Sequence, residues 1–291
     1  MRGASMAIPI VVACGRGRDI SAPVIRDYIV KQACQRLSER GNNKDASPRL
    51  LYLGTPDFES QEGLDLQLKG YKKNCDIEHL KLTKPESLPS MEELKASIEA
   101  ADIIAVSGGN TLFAISRWRR LGIIGLLKDA WRRGTIMCGG SAGAICWFDG
   151  GHSDSLDPSS VLDKKANLTE AEKADWNYVR IAGLGLVPAL CCPHHDQIQS
   201  NGVARADDFD AMLLRNPGEI GICIDNNAAF VVEGDRWFTL STGPWEHADE
   251  GGTVQKKVFD NGSIVSTPLD CGGEPQPLSE LLVPPDFTCL P

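Results

Sequence analysis

The segment Gly139-Gly140-Ser141-Ala142-Gly143 sets a serine hydroxyl among small residues. It follows the short apolar run 135–138 and precedes the apolar stretch Ala144 to Phe148. This G-x-S-x-G pattern in that context is a nucleophile elbow, a strained strand-to-helix turn that exposes the serine Oγ. Small neighbours let the turn close and a substrate approach. The Ala142 amide then points toward a developing oxyanion, and the field of a following helix N-terminus adds to it. A glycine-rich turn with no catalysis would use the same five residues, so the elbow needs partners.

A serine hydroxyl is a weak nucleophile at neutral pH and requires a base. The chain has 5 histidines: His79, His152, His194, His195 and His247. His79 lies in a polar strand region far upstream, and His247 in the tail. His194 and His195 come directly after the apolar run Leu184 to Cys192 and Pro193, which reads as a strand emptying into a loop. Loops at the carboxyl ends of strands are where α/β sites assemble. A carboxylate should orient the imidazole. Asp154 follows the elbow closely, with Asp149, Asp157, Asp196 and the strand-end Asp225 as competitors, and spacing does not choose among them. Ser107-Gly108-Gly109-Asn110 suits a second oxyanion donor, because glycines let backbone N–H groups approach a substrate. The glycine-rich turn Cys14 to Arg18 lacks the G-x-G-x-x-G spacing of a dinucleotide site.

The elements that must position these residues alternate along the chain. Strands are expected at 8–14, 49–54, 76–82, 103–106 and 135–138. Helices are expected at 22–39, 90–101, 111–120 and 124–133, with Ser90 and Glu93 as a capping box. Such alternation predicts a mostly parallel sheet covered on both faces. From Gly150 to Tyr178 the chain turns polar, an excursion with some helix at 170–175 that could serve as a lid. Strands return at 220–224, 228–232 and 237–240, and the Pro- and Gly-rich tail after Gly243 reads as irregular. No linker divides the chain, so residues 1–291 are expected to form a single domain.

Composition limits the partners. The 291 residues carry a formal net charge of −9. An acidic surface argues against nucleic acid, whose phosphates call for clustered Lys and Arg, and against anionic lipid. The basic run Arg117, Arg119, Arg120 reads as a solvated helix face. No stretch approaches the roughly 20 apolar residues of a membrane span, and the N-terminus has no signal-peptide pattern, so a cytosolic location is expected. The 10 cysteines include no C-x-x-C pair, which argues against structural zinc. In a reducing cytosol they should be mostly free thiols, and the sequons at Asn167 and Asn261 chance matches.

Taken together, Gly108-Gly109-Asn110-Thr111, then Gly140-Ser141-Ala142-Gly143-Ala144, a Ser-Asp pair and Pro193-His194 resemble the peptidase E and cyanophycinase family of serine peptidases. Gly221-Ile222-Cys223-Ile224-Asp225 also resembles a G-x-x-I-D stretch of cyanophycinase-like members. The resemblance implies a flavodoxin-like fold akin to class I glutamine amidotransferases. It implies Ser141 as nucleophile, His194 as base, Gly109 and Ala142 as oxyanion donors, and Asn110 as a substrate-binding residue. Asp154 matches the position of the acid proposed for peptidase E. Cyanophycinase-like members place a glutamate near Asn226, which is not acidic here, so Asp154 is favoured with Asp225 in reserve. The implied activity is hydrolysis of short peptides, aspartyl dipeptides among them, without metal or organic cofactor, by an enzyme for which a homodimer is the assembly to test. The stretch Phe148 to His152 lacks the arginine that peptidase E is thought to use for aspartate, and Arg16 or Arg18 is the replacement considered. The competing readings are an α/β esterase or amidase and a non-catalytic binding protein on a glutamine amidotransferase-like scaffold.

Overall fold

The computed structural model describes residues 7–41, 46–161, 168–243, 251–270 and 274–283. In its first half, strands β1 (Ile10–Cys14), β2 (Arg49–Leu53), β3 (Asp76–His79), β4 (Ile103–Val106) and β5 (Ile136–Gly140) alternate with helices α1 (Pro23–Glu39), α2 (Gln61–Leu68), α3 (Met91–Ala100), α4 (Thr111–Leu121) and α5 (Ile124–Arg132). A single helical turn, α6 (Ala142–Ile145), follows β5. Beyond it come β6 (Phe148–Ser153), α7 (Glu170–Ala174), β7 (Val179–Ala182), β8 (Val187–Pro193), α8 (Arg205–Arg215), β9 (Ile220–Ile224), β10 (Ala228–Glu233), β11 (Arg236–Ser241), β12 (Val254–Asp260), β13 (Ser263–Pro268), β14 (Gln276–Pro277) and α9 (Leu278–Leu281).

The class is the expected one, mostly parallel and covered by helices on both faces. Among the described residues the strands divide into two sheets. The first has the order β14-β11-β10-β1-β5-β4-β2-β3, with β1, β5, β4, β2 and β3 parallel and β10 antiparallel beside β1. The second has the order β13-β12-β9-β8-β6-β7, with β6, β8 and β9 parallel at its centre.

Side chains alternate across each buried strand, and the core follows that period. Ile10, Val12 and Cys14 of β1 meet Ile25, Ile29 and Ala33 of α1 and Leu64 and Leu68 of α2 on one face. Val11 and Ala13 face the other way, into a cluster shared with α3, α4 and α5 and with Phe148, Val187, Cys191 and Ile222 of the second sheet. The far face of the second sheet packs Leu190, Cys192 and Cys223 on Phe209, Met212 and Leu213 of α8. Helix α6 packs on β5, β1 and β4 and also on β6 and β8, so the elbow turn sits where the two sheets meet. Local signals agree with this frame: Ser90 and Glu93 form the expected capping box at α3.

Two expectations change. The polar stretch from Gly150 begins as strand, because β6 runs to Ser153. Its glycines permit close pairing, since a Cβ at Gly151 would lie 2.5 Å from the Cys191 carbonyl oxygen. The tail after Gly243, expected to be irregular, contains the β12–β13 hairpin, paired from Gln255–Pro268 to Asp260–Ser263. Its turn is Asn261-Gly262, with φ of 46° and 87°. Two positive φ values mark a type I′ turn, which Asn-Gly favours because its twist matches that of the strands. The helix α8 had no expectation attached to it.

Candidate active site

Ser141 joins β5 to α6 with φ 56° and ψ −121°. An L-residue in this region is strained by roughly 1–3 kcal/mol, and the surroundings enforce it. Its N–H donates to the Cys14 carbonyl at 3.2 Å, and its carbonyl accepts from Ala144 and Ile145. A Cβ at Gly140 would sit 2.1 Å from the Arg16 carbonyl oxygen, and one at Gly143 2.2 Å from that of Val106. The elbow is therefore wedged between the ends of β1 and β4, where glycine alone fits. Ala142, at the first helical position, has its N–H free of the helix ladder. Because α6 is a single turn, that N–H acts on its own rather than through a helix dipole.

The turn 107–110 lies against the elbow, with the Cβ position of Gly108 at 3.4 Å from Ser141 Cβ. The Gly108 N–H donates to Gln67 Oε1 at 3.1 Å, and the Asn110 N–H to the Pro56 carbonyl at 2.7 Å. Between these committed amides stands Gly109, with φ 127° and no room for a Cβ against Pro56.

Asn110 is engaged within the protein. It is 5% exposed. Its Oδ1 accepts from the Phe113 N–H as the cap of α4, and its Nδ2 donates to Ser155 O at 2.9 Å and Ser160 Oγ at 3.0 Å. The amide is used within the protein to tie the 155–160 loop to α4.

His194 follows β8 with φ 51°. Its Nδ1 lies 2.7 Å from Asn226 Oδ1. An amide oxygen only accepts, so the proton resides on Nδ1 and the lone pair on Nε2. The Asn226 N–H donates to Asp196 Oδ1 at 2.8 Å, and the His195 N–H to the Ile224 carbonyl. These bonds lock the histidine loop onto the β9–β10 turn. His195 forms a parallel pair with Asp225, Nδ1 to Oδ1 at 3.2 Å, its Nε2 is buried without a hydrogen-bond partner among the described residues, and it is buried where His194 is half-buried. His152 is buried in β6 and meets Asp208 at 2.9 Å, His79 lies in β3, and His247 lies outside the described residues.

Asp154 is not bonded to His194. Its Oδ2 accepts from Gln199 Nε2 at 3.0 Å and from Arg205 Nη1 at 3.1 Å. The orienting group on the imidazole is thus Asn226, and neither Asp154 nor Asp225 fills that place. Arg205 is fully buried, donates to the His152 carbonyl at 2.6 Å, and stands 5.1 Å from the Tyr178 ring centroid. Burial opposes the Asp154 charge, but Arg205 and His194 outweigh it and hold the carboxyl below its usual range. Burial, and then Arg205, lowers the His194 pKa to about 4 against the pull of Asp154 and Asn226. His194 is therefore neutral at pH 7, the form a general base needs.

Serine and histidine belong to different sheets, and the segment after β1 joins them. Gly15 N–H donates to the Ala228 carbonyl, and a Cβ at Gly15 would lie 2.0 Å from the Asp225 carbonyl oxygen. Arg16 pairs with Asp19 at 2.9 Å and donates to Asn227 Oδ1, while Asp19 accepts from the Asn227 N–H at 2.9 Å. Arg16 is thereby a structural tie between the segment after β1 and the β9–β10 turn.

The model of peptidase family S51 matches residues 61–240, and the chain belongs to that family. It is 31% identical over 155 residues to an uncharacterized peptidase, YgaJ, of Bacillus subtilis strain 168, a match covering 53% of this chain and 57% of that protein. The chain thus spans little more than half the length of that curated relative. Among solved structures it resembles a peptidase from an acI-B1 Actinobacterium, with TM-score 0.62 and 17% identity over 94% of this chain and 98% of the other. A peptidase-E-type protein of Listeria monocytogenes EGD-e gives TM-score 0.53 and 17% identity over 80% of this chain and 98% of the other. At that identity these two structures speak for the fold. No group of three metal-ligating side chains stands together among the described residues, and no helix there is long and apolar enough to cross a membrane.

Proposed function

We propose that this chain is a serine peptidase that cleaves amide bonds in short peptides through an acyl-enzyme. Ser141 Oγ attacks the scissile carbonyl while His194 Nε2 takes its proton. The Gly109 and Ala142 amides receive the oxyanion, a contribution of roughly 3–4 kcal/mol per donor in hydrolases that have been dissected. The imidazolium then protonates the leaving amine, and water hydrolyses the acyl-enzyme by the reverse sequence of proton transfers. Asn226 holds the imidazole in the tautomer this needs, as asparagine does in Cys-His-Asn peptidases. Asp154, paired with Arg205, acts on His194 through space rather than by contact.

The observation that carries this reading is the strained elbow at Ser141, in a chain whose strand-end His194 already has its Nδ1 committed to Asn226. Membership of a peptidase family supports it. The eight described cysteines are all free, six of them buried, which is consistent with the cytosolic setting proposed here. Aspartyl dipeptides remain the first substrates to try. Labelling with a fluorophosphonate probe tests the proposal: wild type should be modified at Ser141 and Ser141→Ala should not, with peptide hydrolysis lost in parallel. An unlabelled, fully active Ser141→Ala protein would refute it.

A further inference from the structure

The arginines of α4 were read from sequence as a solvated face, but Arg117 is not fully solvated. It lines, with Arg120, a cavity of about 420 Å³ whose wall also includes Phe58, Phe113, Asn110 and Ser155. Arg117 Nε donates to the Leu82 carbonyl at 2.6 Å, while its Nη2 is buried and has no hydrogen-bond partner among the described residues. A buried guanidinium nitrogen without an acceptor is costly, and a site that keeps one is prepared for an acceptor from outside. Glu59, which also bonds Leu82, is already used: its carboxylate accepts from the Leu82 and Thr83 amides and from Thr83 Oγ1. The rings of Phe58 and Phe113, with centroids 4.5 Å apart, give the same cavity an apolar wall.

Part of the cavity wall comes from Asn110 and from Ser155. Asn110 directly follows the oxyanion donor Gly109, and Ser155 directly follows Asp154. Arg117 stands about two turns, roughly 10 Å, along α4 from Asn110, and helical side chains lean back toward the N-terminus. An extended peptide advances about 3.3 Å per residue. We infer that this cavity is a subsite for a peptide carboxylate, either the chain terminus or an Asp or Glu side chain, lying about two to three residues from the scissile carbonyl. The guanidinium of Arg117 receives the carboxylate, Arg120 adds charge at the mouth, and the phenylalanine wall covers the neighbouring side chain. The inference rests on the serine-peptidase reading, because that reading places a scissile carbonyl at Gly109.

The test uses tripeptides and tetrapeptides as free acids and as C-terminal amides, each with Glu or Gln at the last position, on wild type, Arg117→Gln and Arg117→Lys. Wild type should favour one carboxylate source by roughly tenfold in kcat/KM, the scale of one charge-assisted hydrogen bond. Arg117→Gln should erase that preference, lowering kcat/KM for the carboxylate-bearing peptides far more than for the Gln-ended amides, and Arg117→Lys should restore part of it. The free-acid and Glu arms tell the chain terminus from the side chain. Equal preference in wild type and Arg117→Gln overturns the inference. Binding is read separately by calorimetry on Ser141→Ala with and without Arg117→Gln. If no peptide is hydrolysed, loss of free-acid tripeptide binding in the double variant still upholds the cavity, and unchanged binding rejects it.

Discussion

Asn226 Oδ1 stands 2.7 Å from His194 Nδ1, in the place where many serine hydrolases keep a carboxylate. A neutral acceptor fixes the tautomer without adding the charge that would stabilise the imidazolium. Burial and then Arg205 lower the His194 pKa to about 4 against the opposing pull of Asp154, Asn226 and Asp196, so the ring is kept neutral.

Replacing that acceptor should tell orientation from charge. Asn226→Ala is expected to lower kcat by roughly 10²-fold, the lower end of what a positioned general base contributes. Asn226→Asp should keep much of the activity and move the acid limb of the pH profile upward, because the added carboxylate favours the imidazolium. Stopped assays of peptide cleavage across pH, on both variants, measure the two effects. A wild-type rate in Asn226→Ala would show that the contact does not orient the ring.

For wild type, the base form of His194 prevails above its folded pKa. kcat/KM should therefore hold from neutral pH down to about pH 5 and fall through pH 4, where the ring protonates. The same depression makes the unfolded chain bind more protons than the folded one between pH 6.5 and 4, so stability declines as pH falls through that window. Asp154, whose folded pKa is lowered, adds a further loss at still lower pH. An acid limb centred near 6.5 would contradict the burial of this ring.

The buried pair Arg205–Asp154 is expected to respond asymmetrically. Arg205→Met leaves Asp154 without its buried cation and should cost about 3–5 kcal/mol in thermal or urea unfolding. Adding Asp154→Leu should recover part of that. Asp154→Asn should lower kcat less than Asn226→Ala does, since the aspartate makes no bond to the imidazole. If Asp154→Asn is instead the more damaging of the two, the orienting role returns to the carboxylate.

Gly140→Ala places a methyl 2.1 Å from the Arg16 carbonyl oxygen. Backbone must shift to admit it, and the elbow should lose its geometry before the fold is lost. The expected outcome is soluble protein with native circular dichroism and at least about a hundredfold slower fluorophosphonate labelling, given how steeply catalysis depends on placement of about 1 Å. Native labelling rates in that variant would mean the elbow tolerates the displacement.

The parallel half of the fold was legible because each strand there is a short apolar run ending in a turn, and each helix carries its own start and stop signals. Ser141 was legible because small residues in a fixed pattern mark a strained turn. The acid was not, because the residue that meets His194 is set by a strand pairing of β8 with β9, and Asn226 carries no charge to draw attention to it. Asn110 shows a related ambiguity: an amide beside a glycine turn serves equally as ligand or helix cap, and its partners at 155–160 are distant in sequence. The β12–β13 hairpin carried a signal that went unused, Asn261-Gly262, because Lys256 and Lys257 broke the apolar alternation around it. The division into two sheets depends on how α6 packs, which no local pattern records.

The tie between Asp19 and Asn227 joins positions 208 residues apart, and it brings with it the turn that carries Asn226. A ribosome releases the serine well before it releases that turn. Under the proposed mechanism a nascent chain therefore holds a hydroxyl with no tuned proton acceptor, and hydrolytic competence would arrive only when the last third of the molecule has docked against the first strand. If that mechanism holds, nearly complete assembly is the condition for reactivity, and the cell is spared a half-folded protease.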